Sequence, residues 1–282
     1  MKRVLITGCS SGIGRMLVRS FLDDGWMVIA TLRNADERQN IFQEEMARFS
    51  DRLVVKSLDV TCDDERREIA SYVNADGLDC LVNNAGFALF GALENCTETQ
   101  IRNQFDVNLL APILLTRALL PALRKKEGSV INVSSMMAFV GFPLSSIYCS
   151  SKSGLGMWSE ALKHELAPHN VSVHVVEPGG FRTKFGQNVQ WGSDDVGAYR
   201  TWTRGYRQLN QKFLTFPGAL DGLAQLQQQV GSLGNCNAAG SLVQSAENLP
   251  WPLVFHAKTI ELSTRVLVGI PGLINKTHPR LK

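Results

Sequence analysis

Tyr148 and Lys152 stand four residues apart in "YCSSK", at the start of a stretch with helical periodicity. Side chains so spaced share one face of a helix. A free phenol has a pKa near 10 and is a poor acid–base at neutral pH. A nearby ammonium favours the phenolate and is expected to lower that pKa. The pair suits giving a proton to a carbonyl oxygen, or taking one from an alcohol. Ser135 lies thirteen residues earlier, where the apolar run "INVSS" ends. Its hydroxyl could hold the same oxygen while charge develops on it.

A second chemical signal comes near the beginning of the chain. "TGCSSGIG" (7–14) follows the strand-like "KRVLI" and precedes a helical stretch, so its glycines fall at a strand-to-helix turn. Gly8 permits the tight turn. Gly12 and Gly14 let backbone N–H groups and the helix N-terminus approach a pyrophosphate. Gly8, Ser10, Ser11, Gly12, Ile13 and Gly14 are therefore candidate dinucleotide-binding residues. A carboxylate about 20 residues further on would read a ribose 2′-hydroxyl. That place holds Leu32 and then Arg33. A guanidinium binds a 2′-phosphate bidentately, so the expected cofactor is NADP(H) rather than NAD(H).

Apolar runs that read as strands position these groups. They are Arg3–Thr7, Trp26–Thr31, Leu53–Leu58, Leu78–Asn83, Ser129–Ser134 and Val171–Glu177, with a seventh at Pro252–Ala257. Helical stretches alternate with them over Ser11–Asp24, Asp36–Phe49, Asp63–Asn74, Thr97–Lys125 (broken near Pro112) and Ser146–Ala167. Such alternation builds βαβ units and a parallel sheet covered on both faces. Residues 1–282 are expected to form a single domain. It carries a substrate lid at about 184–235, rich in Gln, Asn and Gly yet threaded with aromatics, and a C-terminal amphipathic helix at about 259–274.

Composition excludes several function classes. The net charge of +3, without a long basic cluster, gives no reason to expect nucleic acid. Six scattered cysteines lack metal-type spacing, and no two of the five histidines make an H-x3-H pair, so no metal site is expected. No membrane span and no secretory signal are read from the sequence, which points to a cytoplasmic protein with reduced thiols.

"TGCSSGIG", "NNAG" (83–86), "INVSS" and "YCSSK", in that order, resemble the short-chain dehydrogenase/reductase family over about 1–183. The resemblance implies an α/β fold: a Rossmann-type doubly wound parallel sheet of about seven strands flanked by helices, with the lid inserted before the last strand. It implies an oxidoreductase in which Asn108, of "DVNLL", joins Ser135, Tyr148 and Lys152 by helping to order a water. The family's serine-to-tyrosine spacing selects Ser135 over Ser134. Asp59 matches a residue that contacts adenine, with Val60 beside it. Asn83, Asn84, Ala85 and Gly86 match the stretch lining the cofactor, which Tyr148 and Lys152 also touch. "PGGFRT" places Pro178, Gly179 and Thr183 at the nicotinamide end.

Two positions depart from the family pattern. Many NADP(H) members carry a basic residue where this chain has Ser11, leaving the preference to Arg33. Ser150 replaces a common alanine. Family members assemble through the helices over 97–125 and 146–167, so a homodimer or homotetramer is expected. "GFALFG" (86–91), "MMAFVGFP" (136–143) and the lid aromatics surround the reacting carbon with apolar side chains. The expected substrate is a hydrophobic ketone, aldehyde or secondary alcohol. The alternative is a catalytically silent NADP(H)-binding sensor or scaffold.

Overall fold

The computed structural model describes residues 1–179, 184–193, 196–213 and 265–268. Strands β1 (Arg3–Ile6), β2 (Met27–Leu32), β3 (Leu53–Ser57) and β4 (Cys80–Asn83) come first. After them come β5 (Leu89–Phe90), β6 (Ser129–Val133), β7 (Ser172–Pro178), β8 (Gln190–Trp191) and β9 (Arg265–Val268). Seven form one parallel sheet in the order β3-β2-β1-β4-β6-β7-β9, and β5 pairs with β8 in a separate parallel ladder. Every residue of β1, β4 and β6 is buried, as strands covered on both faces must be. The chain winds outward from β1 to β3, then returns across β1 to β4. Ligands of such sheets bind at the carboxyl ends of the strands beside that reversal.

Helix α1 (Gly12–Asp23) covers one face with Leu17, Val18, Phe21 and Leu22. Trp26 meets Phe21 edge-on, with ring centroids 5.1 Å apart. The short α2 (Gln43–Arg48) follows a 3-10 stretch at Ala35–Phe42. One continuous helix was expected there, but Arg38 departs from helical torsions and divides it. The opposite face is covered by α3 (Asp63–Asn74), α5 (Ala111–Lys126) and α6 (Ser146–Leu166). Ile69, Val73, Leu115, Leu119, Leu123, Leu162 and Leu166 pack there against Leu5, Leu81 and Val130. Each such side chain contributes about 2 kcal/mol of burial.

The helical run over 97–125 departs from its expected form in two ways. α4 (Glu98–Phe105) starts at a capping box made by Thr97 and Gln100, and a π-helical turn at Asp106–Leu110 joins it to α5. Pro112 has no N–H to give the carbonyl of Asn108, four residues back, so the irregularity falls a turn before the proline. The 29 residues Glu98–Lys126 are also long and apolar enough to cross a membrane, contrary to the expectation of no such stretch. Their apolar content includes the face that covers the sheet, with Leu115, Leu119 and Leu123 in the core.

Two further departures concern the second half. Residues 184–193 and 196–213 hold regular structure: a 3-10 turn at Lys184–Asn188, β8, a 3-10 turn at Gly197–Tyr199, and α7 (Arg200–Phe213). Arg265–Val268 is a strand paired to β7, within the span expected to be a helix. The run "RVLV", with its two β-branched residues, suits the outer edge of β7 better than a helix. Pro252–Ala257, the rest of the expected C-terminal helix and the lid beyond 213 lie outside the described residues.

Candidate active site

The loops after β1 and β4 interlock. Thr7 Oγ1 accepts from the N–H groups of Asn84 and Ala85, each at 3.0 Å. Asn84 Nδ2 donates to the carbonyls of Thr7 (2.7 Å) and Gly8 (3.2 Å). This closeness dictates glycine at two places. A Cβ on Gly8, whose φ is +72°, would lie 2.8 Å from Ala85 Cα. One on Gly14 would lie 2.5 Å from both Asn84 Nδ2 and the Gly8 carbonyl. Ser11 precedes α1 without a side-chain capping bond, leaving the first helix amides available to an anion. Ser10 is half-buried at the same turn, and Ile13 packs its side chain against the core, so only its backbone can serve a ligand.

Arg33 is exposed just beyond β2, and Asp59 follows β3. Burial pushes the Asp59 carboxyl up, but hydrogen bonds from the side chain and backbone of Thr61, with the charges of Arg33 and Arg66, hold it below the usual range. Arg33 and Asp59 therefore face one corner. Val60 turns its side chain into the core, and its carbonyl accepts from Arg66 Nη1 at 2.7 Å. Asn83, grouped above with the cofactor stretch, is corrected by the structure. Its side chain is buried and donates to Thr116 Oγ1 (3.0 Å) and Asn132 Oδ1 (2.8 Å), tying strand to helix.

The four expected catalytic residues converge at the carboxyl end of the sheet. The π-turn directs Asn108 inward, where its Nδ2 donates to the Phe87 carbonyl (3.0 Å) and Ser151 Oγ (3.2 Å). Ser151 Oγ in turn donates to the Tyr148 carbonyl at 2.8 Å. A Cβ on Gly86 would lie 3.1 Å from Asn108 Oδ1 and 3.5 Å from Lys152 Nζ, so a glycine keeps these groups close beneath the loop. Ser135 Oγ accepts from Met137 N–H at 3.1 Å and is hydrogen-bonded to the Tyr148 phenol. Ser134 instead gives its hydroxyl to the Lys152 carbonyl (3.1 Å), so it is spent on the helix backbone. Pro178 is buried at the end of β7, with Gly179 half-buried after it; Thr183 lies outside the described residues.

The electrostatics differ from expectation. Burial pushes the Tyr148 phenol up to about 12, against a smaller lowering by Ser135. Lys152 does not bring it down. Its ammonium donates to the Val133 carbonyl at 2.8 Å, and burial lowers its own pKa to about 8. Desolvation outweighs the neighbouring cation here because Tyr148 is walled in by rings. Phe90 meets it edge-on at 5.9 Å and Phe185 lies at 6.3 Å. Trp191 and Tyr206 stack on Phe90 at 5.7 and 5.3 Å.

Sequence reasoning left out Thr7, Gln104 and Ser151, and it included Tyr206 only among the lid aromatics. Gln104 is fully buried; its Nε2 donates to the Phe87 carbonyl (3.0 Å) and its Oε1 accepts from Leu89 N–H (2.6 Å). Its position four residues before Asn108 was the available signal.

A parallel sheet wound both ways, with a glycine turn at its reversal, defines a nucleotide-binding α/β fold of the Rossmann type. A family model described as short chain dehydrogenase matches residues 2–193. Mitochondrial D-beta-hydroxybutyrate dehydrogenase of Bos taurus is 36% identical over 186 residues, covering 64% of this chain and 54% of that protein. Retinol dehydrogenase 8 of Homo sapiens is 33% identical over 188 residues, covering 65% and 60%. The matches thus span little more than half the length of these curated relatives. The solved structure of a short-chain dehydrogenase from Streptomyces avermitilis superposes with a TM-score of 0.69 at 34% identity, covering 81% of this chain and 82% of that one. That of an alcohol dehydrogenase from the archaeon Thermococcus sibiricus, complexed with 5-hydroxy-NADP, gives 0.63 at 26% identity, covering 69% and 83%. The chain belongs to the short chain dehydrogenase family.

Proposed function

We propose that the protein is an NADP(H)-dependent oxidoreductase interconverting a hydrophobic ketone or aldehyde and its alcohol. The observation that carries this reading is the convergence of Ser135, Tyr148, Lys152 and Asn108 below an aromatic wall, at the strand ends where the glycine turn lies. The residues at the strand ends suit a dinucleotide: the first amides of α1 carry no side-chain cap, and Arg33 offers a cation at the corner it shares with Asp59. Gly8 to Gly14, Asn84 to Gly86, Pro178 and Gly179 would hold the cofactor. When bound, the nicotinamide supplies or accepts the hydride.

The protein's own residues handle the proton. Ser135 holds the substrate oxygen and orients Tyr148. The Tyr148 phenol is protonated at neutral pH and can give its proton to a carbonyl oxygen as hydride arrives, or take one back from an alcohol in the reverse direction. Lys152 and Asn108 lie beneath it and can pass a replacement proton inward through ordered water. Phe90, Phe185, Trp191 and Tyr206 exclude bulk water and select apolar substrates.

A reducing compartment and a homo-oligomer built on the outer faces of the π-turn, α5 and α6, where Leu110, Leu114 and Met157 are exposed, belong to the same proposal. The test follows nicotinamide absorbance with NADPH and NADH across apolar and sugar-like carbonyls. Apolar ketones should turn over with NADPH preferred, and Arg33→Asp should move the preference at least tenfold towards NADH. Turnover of small polar carbonyls alone would defeat the substrate assignment, and an unchanged cofactor ratio the role of Arg33.

A further inference from the structure

Tyr206, on α7, is bound to the first turn of the catalytic helix although 61 residues separate it from its partner. Its hydroxyl lies 2.9 Å from Ser145 Oγ. Ser145 is buried and immediately precedes α6, where its carbonyl accepts from Cys149 N–H at 2.9 Å. The Tyr206 ring stacks edge-on against Phe90 (5.3 Å) and Trp191 (6.2 Å), and Phe90 meets Tyr148. Ala88, Phe90 and Tyr148 form the centre of this cluster, with Met137, Val189, Trp191 and Tyr206 packed around them.

β8 gives the wall a fixed base. Gln190 N–H donates to the Ala88 carbonyl, Gly192 N–H to that of Phe90, and Gln100 Nε2 to that of Trp191. Trp191 is thus pinned by backbone bonds. Tyr206 reaches the same wall from α7, which its hydroxyl ties to the residue just before α6.

We propose that Tyr206 is a specificity-determining residue: its ring completes the apolar wall beside Tyr148, and its bond to Ser145 holds α7 across the substrate chamber. Affinity for an apolar carbonyl compound then depends on Tyr206 and Ser145 as one unit, and affinity for the nucleotide does not. The Tyr206 phenol also lies close enough to that of Tyr148 to disfavour its ionisation, consistent with both facing one space. This inference rests on the substrate reading above.

The test uses the full chain saturated with NADP+, which cannot reduce a ketone, so that binding is read without turnover. Calorimetry gives the dissociation constant of octan-2-one for wild type, Tyr206→Phe, Ser145→Ala, the double variant and Tyr206→Ala. Each single loss of the hydroxyl pair should weaken octan-2-one about fivefold, the worth of one hydrogen bond. The double variant should be no weaker than either single one, and removal of the ring should cost several times more. NADP+ affinity and melting temperature should stay near wild type in Tyr206→Phe. With NADPH, that variant should show a raised KM and a kcat within about threefold of wild type. Equal octan-2-one affinity in Tyr206→Phe and wild type, or single losses that multiply in the double variant, would overturn the proposal. If wild type binds octan-2-one but never reduces it, the reaction assigned above falls while the role of Tyr206 stands. If wild type binds NADP+ but no octan-2-one, the apolar chamber fails and Tyr206 with it.

Discussion

The two ends of the crevice are built from different materials. At the glycine turn, two short polar side chains grip main chain: Thr7 Oγ1 and Asn84 Nδ2 bond to backbone groups of the facing loop, and glycines allow the approach. Around Tyr148, side chains meet side chains: four aromatic residues from three separate segments of the chain enclose a phenol. The first arrangement tolerates almost no change of shape, because a single Cβ collides with atoms that cannot move. The second can be repacked, because rings slide and tilt at modest cost. Under the proposed function, the nucleotide end is held by close loop packing and the substrate end by repackable rings.

The sharpest test of that contrast is Tyr148→Phe. It keeps the ring in its wall and removes only the proton donor. Its kcat should fall about 10³-fold while NADPH affinity stays within about twofold. Equal losses in both would mean that the hydroxyl holds the nucleotide end together rather than supplying the proton, and an unchanged kcat would mean that it is not the proton donor. Gly14→Ala probes the other end. The added carbon meets Asn84 Nδ2 and the Gly8 carbonyl, so the variant should lose about 1–3 kcal/mol of stability and most of its nucleotide affinity. Denaturant unfolding and nucleotide titration measure the two losses, and an Ala variant that binds NADPH normally would break the comparison.

The smallest expected effect lies between the two ends, at Lys152. Burial holds its pKa at about 8, so below that pH the folded protein carries a buried ammonium that the unfolded chain keeps in water. As pH rises from about 8 towards the ordinary lysine value, the folded state releases the proton first and the cost disappears. Wild type should therefore gain a few degrees of melting temperature relative to Lys152→Met across that window, read by paired thermal scans. A difference independent of pH would mean that the ammonium is better solvated than its surroundings indicate.

What the sequence disclosed follows the same division. The glycine turn was legible because only one residue type permits that geometry. Tyr148 and Lys152 were legible because a spacing of four on a helix fixes a shared face. Neither argument needs a long-range contact. The tie between Ser145 and Tyr206 needs one across 61 residues, and no local pattern announces it. The phenol's pKa was misjudged for a related reason. A neighbour in sequence supplied the cation, but neighbours in space supplied the desolvation. The strand at Arg265–Val268 was hidden by helix-like spacing in the surrounding residues, which the free edge of β7 overrides. The break in the long helix was foreseen from Pro112, but its form and its place at Asn108 depended on the bond that the proline withholds.

That π-turn carries a cost. A regular helix through Asp106–Leu110 would be easier to fold and would keep its ladder in step. Shortening the turn by one residue would restore that regularity while swinging the Asn108 amide away from Phe87 and Ser151. The local irregularity is thus the device that aims one amide at two partners.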